Sequence, residues 1–150
     1  MLAALTASLL IGAGCGSEVK VTDDDLVIIN ATDLDAIILA NTKTTKRKKQ
    51  TCLIDSRIAQ RFAAGHIAGA VNLISRDVRA EDPRFSEYKT LVIYGQDWMD
   101  SSPMIVSKRL LALRYEDVRT YRGGVVDWQA TGHVLIPSPT PSDETGQAGP

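Results

Sequence analysis

Residues 52–72 read CLIDSRIAQRFAAGHIAGAVN, which contains one complete strand, helix and strand unit. The apolar run from Cys52 to Asp55 predicts a buried strand. A brief helix follows, and Gly65 is placed to end it in the left-handed conformation that glycine adopts without strain. Residues 70–73 then predict another short strand. This order indicates two parallel strands joined by a crossover helix.

Three further segments of strand length flank this unit. Residues 26–29 are a short apolar run, residues 118–121 predict a last strand, and LVIY at 91–94 is the strongest signal for a buried strand. Strands that alternate with helices predict an α/β fold with a mainly parallel, five-stranded sheet flanked by helices. Ligand sites in such folds lie at the carboxyl ends of the strands. We therefore expect a site in the loop that follows Tyr94.

Capping residues mark the helices between these strands. Thr32 is expected to cap one helix, with Asp35 three residues on as in a capping box. Ser101 or Ser102 is expected to cap another, with Pro103 in its first turn. The predicted core face of that helix carries Val106, Leu110 and Leu113. Residues 125–129 predict a last, short helix.

The composition fits one globular domain with tails. The chain has 150 residues, of which 44% are hydrophobic and 23% are charged. Its formal net charge is −1, so no field over the whole molecule attracts nucleic acid, and no nucleic-acid partner is expected. Nothing in the sequence indicates self-association, and we expect a monomer.

The N-terminal segment predicts export. Residues 1–14 are uncharged and their apolar run is too short to span a bilayer as a helix. Small residues before Cys15 resemble the lipobox of bacterial lipoproteins, in which the cysteine is lipidated after cleavage. We expect a lipoprotein-like signal peptide at 1–14, lipidation at Cys15, a linker at 15–25 and a membrane-anchored protein on the periplasmic or cell-surface side of a bacterium. A plain secretory signal and an uncleaved apolar N-terminus remain alternatives.

Two other segments are polar. The basic run at 43–49 repels itself and predicts a solvated loop, with contact to anionic lipid as the alternative. Residues 137–150 carry four prolines among polar residues and are predicted to be disordered, because they cannot bury enough apolar surface to fold.

Two motifs resemble those of rhodanese domains. LIDSR at 53–57, with GHIAGA at 65–70 and Asn72, is similar to the first signature of that family. RGGVVDW at 122–128, with Gly132 after it, is similar to the closing signature. The resemblance implies a three-layer rhodanese-like domain at 26–136.

The same resemblance implies that the catalytic loop is degenerate. In active members the strand equivalent to 91–94 runs into a cysteine, whose thiolate takes the sulfane sulfur of a donor such as thiosulfate and carries it as a persulfide. Here that position is Gly95, so no catalytic residue is expected. The degenerate loop consists of Gly95, Gln96, Asp97, Trp98, Met99, Asp100 and Ser101.

Carboxylates in this loop favour the same interpretation. Asp97 and Asp100 place negative charge where backbone N–H groups should face an anion, so thiosulfate or phosphate would be repelled. The related phosphatase activity needs a cysteine and an arginine in this loop, and the loop has neither. We expect a catalytically inactive module with a binding or regulatory role, although a decayed paralogue with no specific role is also open.

The alternative is a sulfurtransferase with a non-standard nucleophile or a partner's thiol. Cys52 begins its strand, about 13 to 17 Å from the end that bears the loop, and is expected to be a small buried residue. Asp55, Arg57 and His66 are expected to hold the scaffold near the site, as the resemblance implies. His133 suggests no role.

No cofactor or metal is expected, because two separated histidines without a nearby cysteine lack ligand spacing. Trp98 and Met99 are large apolar residues in a loop that turns towards solvent. They are expected to fold back onto the domain, with contact to a protein partner as the alternative.

Overall fold

The computed structural model describes residues 19–46 and 50–139, in which strands and helices alternate. In chain order the elements are β1 (Val27–Ile29), α1 (Ala31–Thr42), β2 (Thr51–Asp55), α2 (Ala59–Ala64), β3 (Val71–Asn72), β4 (Thr90–Tyr94), α3 (Ser102–Ala112), β5 (Val118–Tyr121) and α4 (Gly124–Ala130). Short 3-10 turns lie at Asp23–Asp25 and Ser75–Asp77. The N-terminal segment 1–18, residues 47–49 of the basic run and the tail 140–150 lie outside the described residues.

The five strands form one parallel sheet with the order β1-β5-β4-β2-β3. Every neighbouring pair is parallel, which confirms the predicted fold class and makes the sheet wholly parallel. β4 lies at the centre, and all five of its residues are buried. The chain leaves the sheet at Tyr94 beside Asp55, so the loops after β4 and β2 meet at one end.

Two apolar clusters cover the two faces of the sheet. On one face, Leu34 of α1 and Val125 and Trp128 of α4 pack against β2, β4 and β5. On the other, Val106 and Leu110 of α3 pack against the same strands. The result is the predicted three-layer arrangement, in which burial of both sheet faces accounts for the continuous apolar runs of the central strands.

The helix starts differ in part from the predictions. α1 is capped by Asn30, whose side chain accepts from the Asp33 N–H while the Asp33 carboxylate accepts from the Asn30 N–H. The expected Thr32 and Asp35 box is therefore wrong by two residues, because Asn30 already satisfies the first N–H groups. Ser101 occupies the cap position of α3 but makes no side-chain capping bond.

Gly65 and Leu113 differ from the predictions. Gly65 follows α2 with φ 170°, which is extended backbone and not the expected left-handed turn. Leu113 lies just beyond α3 and is 38% exposed, so it does not belong to the core face with Val106 and Leu110. Pro103 does lie in the first turn of α3, as predicted. None of the helices in the described part of the chain is long and apolar enough to cross a membrane.

The turn between β5 and α4 packs directly on the loop after β4. The N–H groups of Val125 and Val126 donate to the carbonyl oxygens of Gly95 and Gln96 at 3.1 Å each. Gly124 has φ +62°, and a Cβ there would lie 2.5 Å from the Gln96 carbonyl carbon. Only glycine combines this backbone conformation with so close an approach.

We predict that Gly124→Ala destabilises the domain by about 3 kcal/mol, because left-handed strain adds to overpacking against backbone. Gly69→Ala is the matched control, since Gly69 has φ +79° but nothing within 4 Å of a new Cβ. It should lose only about 1 kcal/mol. Urea unfolding of both variants measures the difference, and equal losses would contradict this account of the Gly124 contact.

Candidate functional site

An open cleft lies at the carboxyl ends of β2 and β4, where the sequence predicted a site. Its volume is about 520 Å³. It is lined by Ser56, Arg57, Ile58, Arg61, Gln96, Asp97, Met99, Asp100 and Ser102. One wall comes from the segment after β2 and the other from the loop after β4, because the two strands are neighbours in register.

A buried ion pair forms the base of this end of the sheet. Asp55 is fully buried and Arg57 nearly so, and the guanidinium donates to both carboxylate oxygens, with Nη2 to Oδ2 at 2.7 Å. The same guanidinium reaches the Gly65 carbonyl at 2.7 Å and the Gln96 Oε1 at 3.2 Å. The pair therefore connects β2, the turn after α2 and the loop after β4.

Asn72 and Tyr94 extend this network at the ends of their strands. The Asn72 amide donates to the carbonyl oxygens of Asp55 and Arg57 at 2.9 and 2.7 Å. The Tyr94 hydroxyl accepts from the Ile67 N–H at 3.1 Å. Burial, followed by the nearby negative charge of Asp55, raises the pKa of Tyr94 well above its ordinary range, so the hydroxyl stays protonated.

Asp100 provides the main electrostatic feature of the loop. Its Oδ2 accepts from the Gln96 N–H and its Oδ1 from the Ser102 N–H, each at 2.8 Å. The carboxylate thus occupies N–H groups at both ends of the loop, including the first N–H of α3. Burial raises the pKa of Asp100, but these hydrogen bonds outweigh it and hold the pKa below its ordinary value.

The space beside Gly95 is closed by the same carboxylate. A Cβ on Gly95 would lie 2.4 Å from the Asp100 Oδ2 and 2.9 Å from the Pro103 Cδ. Both groups are held in place, one by two hydrogen bonds and the other by its ring. A side chain at position 95 therefore requires Asp100 to move.

The tip of the loop points into solvent. Asp97 accepts from the Met99 N–H at 2.9 Å, which bends the chain outwards. Met99 is 91% exposed and Trp98 50% exposed. The expectation that both residues fold back is wrong for Met99. Trp98 is held on one side by Arg122, whose guanidinium lies 5.9 Å from the ring centroid and donates to the Trp98 carbonyl at 2.9 Å.

Two serines join the walls of the cleft beneath this tip. The hydroxyls of Ser56 and Ser102 share a hydrogen bond of 2.8 Å, and Ser56 also donates to the Tyr94 carbonyl at 2.8 Å. Among residues 19–46 and 50–139, neither hydroxyl has a histidine or lysine as a hydrogen-bond partner that could act as its base. This pair is not predicted by the sequence, because positions 46 residues apart give no local signal.

The histidines have structural contacts. His66 is buried, stacks on Phe62 at 3.9 Å and bonds through Nδ1 to the Phe62 carbonyl. Its backbone pairs with Ile136, which fastens the C-terminal segment beside α2. His133, to which the sequence assigned no role, stacks on Trp128 at 3.7 Å and contacts Asp35 at 2.9 Å. It thus links the end of α4 to α1.

Cys52 lies away from the cleft. It stands opposite Leu91 near the amino end of β2, three residues before Asp55, and is buried. Burial raises the pKa of its thiol to about 12, with only a partial opposing effect of Arg84. A thiol in this environment is protonated at neutral pH and lacks the features of a reactive cysteine.

A metal site is not indicated in the part of the chain that the structure covers. Residues 19–46 and 50–139 contain no group of three or more histidine, cysteine, aspartate or glutamate side chains placed to hold an ion. The carboxylate of Asp100 is already used by backbone N–H groups.

Comparison with known proteins identifies the family. The model of the Rhodanese-like domain matches residues 38–131. No curated protein sequence matches the chain.

Solved structures share the fold at low sequence identity. The BH2092 protein of Bacillus halodurans has a TM-score of 0.61 and 16% identity over 74% of this chain and 77% of that chain. A rhodanese-related protein of Thermoplasma volcanium has a TM-score of 0.55 and 18% identity over 75% and 99%. A thiosulfate sulfurtransferase of Pseudomonas aeruginosa has a TM-score of 0.60 and 23% identity over 75% of this chain and only 20% of that chain.

These solved structures show the fold alone. The family assignment rests on the Rhodanese-like domain model, which matches more than half of the sequence. Together with the parallel sheet and the cleft at its carboxyl end, it shows that this chain belongs to the rhodanese-like domain family.

Proposed function

We propose that this chain is a catalytically inactive rhodanese-like module with a binding or regulatory role, exported and tethered to a membrane through lipid on Cys15. The observation that carries the loss of catalysis is the Asp100 carboxylate beside Gly95. The family's chemistry needs a thiolate at that position and free N–H groups for an anionic donor. Gly95 supplies no sulfur, and Asp100 already uses the N–H groups of Gln96 and Ser102.

Electrostatics support this proposal independently of the missing thiol. Asp97 and Asp100 both lie in the loop, and the charge of Arg57 is matched by Asp55. Arg61 is the cation of the cleft that has no carboxylate within salt-bridge distance in the described residues. One exposed arginine facing two carboxylates makes a poor site for a dianion such as thiosulfate.

The loop after β4 is held in place by several contacts, and this order supports a binding role. The loop is fixed by the Arg57 and Gln96 contact, by the Asp100 bonds and by the turn at Gly124. These contacts present Met99 and Trp98 to solvent on a rigid base. An exposed methionine beside a tryptophan and an arginine is the residue combination that protein interfaces favour at their centres. We propose a protein partner at this surface.

Sulfur transfer from thiosulfate to cyanide by the full chain with Cys15→Ser tests the catalytic part of the proposal. We expect thiocyanate at the background level, and no change with Cys52→Ala. Gly95→Cys alone is also expected to stay inactive, because its Cβ would collide with Asp100. Gly95→Cys with Asp100→Ala and Pro103→Ala removes both groups that the new Cβ would meet and is expected to gain activity.

Thiocyanate production by the chain with an unchanged loop that disappears with Cys52→Ala would contradict the proposal, because it would make Cys52 the nucleophile. Unchanged thermal unfolding of Cys52→Ala relative to its parent would show that such a loss is chemical and does not reflect unfolding.

A photo-crosslinking amino acid at Met99, in cells that produce the protein naturally, tests the partner surface. We expect a discrete protein adduct from position 99. Val134, which is 77% exposed and lies on the C-terminal segment, provides the matched control and should give none. Equal labelling from both positions, or none from Met99, would contradict a partner at this loop.

Lipid attachment is tested by metabolic labelling with a fatty-acid analogue during expression in a bacterium. Label in the mature protein that is lost with Cys15→Ser is the expected result. Label that persists in Cys15→Ser, or a protein that carries none, would contradict the tether.

A further inference from the structure

Sulfur-containing side chains are few in this chain, and one of them stands in solvent. The sequence holds three methionines and two cysteines, of which Cys52, Met99 and Met104 lie in the described residues. Cys52 is buried, and burial raises the pKa of its thiol to about 12. Met104 is partly buried near the start of α3. Met99, at 91% exposure, is therefore the most accessible sulfur-containing residue in the described part of the chain.

The backbone on both sides of Met99 is held in place. The Met99 N–H donates to the Asp97 Oδ1 at 2.9 Å, and the Asp100 N–H donates to the Asp97 carbonyl at 3.1 Å. On the preceding residue, the Trp98 carbonyl accepts from the Arg122 guanidinium at 2.9 Å. The thioether thus reaches solvent from a fixed loop. Because susceptibility to oxidation follows exposure, a soluble oxidant meets this sulfur in the folded protein without any unfolding.

Two other exposed apolar side chains belong to the same surface. Trp98 precedes Met99 and is 50% exposed, and Ile58, which lines the opposite wall of the same cleft, is 55% exposed. A partner that covers Met99 would bury the thioether together with these side chains. Methionine contributes apolar area to such a contact, and its flexible side chain adapts to the partner's shape. A gain of polarity at the sulfur would therefore act within the contact surface.

From this arrangement we infer that Met99 is an oxidative modification site, at which hydrogen peroxide converts the thioether to the sulfoxide and so releases the partner. The inference rests on the proposed function, because it concerns the partner surface of the loop. In the reaction a sulfur lone pair attacks one peroxide oxygen, the S–O bond forms and the O–O bond breaks. The sulfur loses two electrons and the peroxide gains them. The transferred hydroxyl gives up its proton, the departing hydroxide takes one, and the peroxide leaves as water.

Oxidation changes what Met99 offers to a partner. The sulfoxide is polar and its oxygen is a hydrogen-bond acceptor, so burying it in an apolar contact without a donor carries a desolvation cost. It forms in the free protein, because a bound partner covers the thioether. Reduction by methionine sulfoxide reductases restores the thioether, with a dithiol oxidised to a disulfide and the oxygen released as water. The modification is therefore a reversible control of docking.

Mass spectrometry of the full chain with Cys15→Ser, sampled during exposure to hydrogen peroxide, tests the site itself. Trypsin releases both methionines on one peptide, residues 90–108, whose fragment masses separate Met99 from Met104. We expect Met99 to be oxidised at least about tenfold faster than Met104 in the folded protein. In urea the two rates should converge, because unfolding exposes both side chains equally. Equal rates in the folded protein would overturn the inference.

Binding of the protein recovered as the position 99 adduct tests the control of docking. The chain is oxidised, the peroxide is removed, and only then is the recovered protein added. We expect the Kd to rise at least about tenfold on oxidation and to return after treatment with methionine sulfoxide reductases. Each variant is compared with itself before and after peroxide. Met99→Leu should show no change on oxidation, whereas Met104→Leu is the matched control and should respond as the parent chain does.

The outcomes separate this inference from the proposed function. An unchanged Kd after complete oxidation of Met99, or an equal loss of binding in oxidised Met99→Leu, would overturn the inference and leave the partner surface standing. Absence of any adduct from position 99 would contradict the proposed partner, and the inference with it. Thermal unfolding of the oxidised chain should match that of the untreated chain, because the Met99 side chain is almost wholly in solvent. A lowered unfolding temperature would show that the loss of binding reflects damage to the fold and would overturn the inference.

Discussion

The buried ion pair of Asp55 and Arg57 is the interaction on which the functional end of the molecule depends. The Arg57 guanidinium holds the Gly65 carbonyl and Gln96 as well as its carboxylate partner, so three chain segments meet on one side chain. Loss of one member would leave a buried charge without its partner, at a cost of about 3 to 5 kcal/mol. The pair explains why the loop after β4 keeps its position although its residues differ from those of an active site.

On this base the loop carries an anion of its own, the Asp100 carboxylate. Backbone N–H groups at the amino end of a helix favour negative charge, and Asp100 supplies it from within the chain. Because the folded-state pKa of Asp100 is lowered, its carboxylate stabilises the loop at pH values above its ordinary pKa. That contribution is lost as the pH falls through the lowered value.

The sequence predicted the architecture well and the site only in outline. Strand-length patterns located all five strands, because such patterns are local signals. Contacts between distant positions gave no such signal, as with the Ser56 and Ser102 bond and the contact of His133 with Asp35. Sequence reasoning treated Asp100 as a repulsive charge. The folded chain gives it hydrogen bonds as well, which only the geometry of the turn reveals.

The central claim is that Asp100 occupies the anion-binding N–H groups of the loop, and NMR of the Gln96 and Ser102 amides tests it most directly. The account predicts that both amide signals follow one titration with a midpoint below the ordinary aspartate value of 3.8, and that this shared transition disappears in Asp100→Asn. It also predicts that added thiosulfate leaves both signals unmoved at neutral pH. Signals that shift with thiosulfate at neutral pH, or that titrate independently of Asp100, would contradict it.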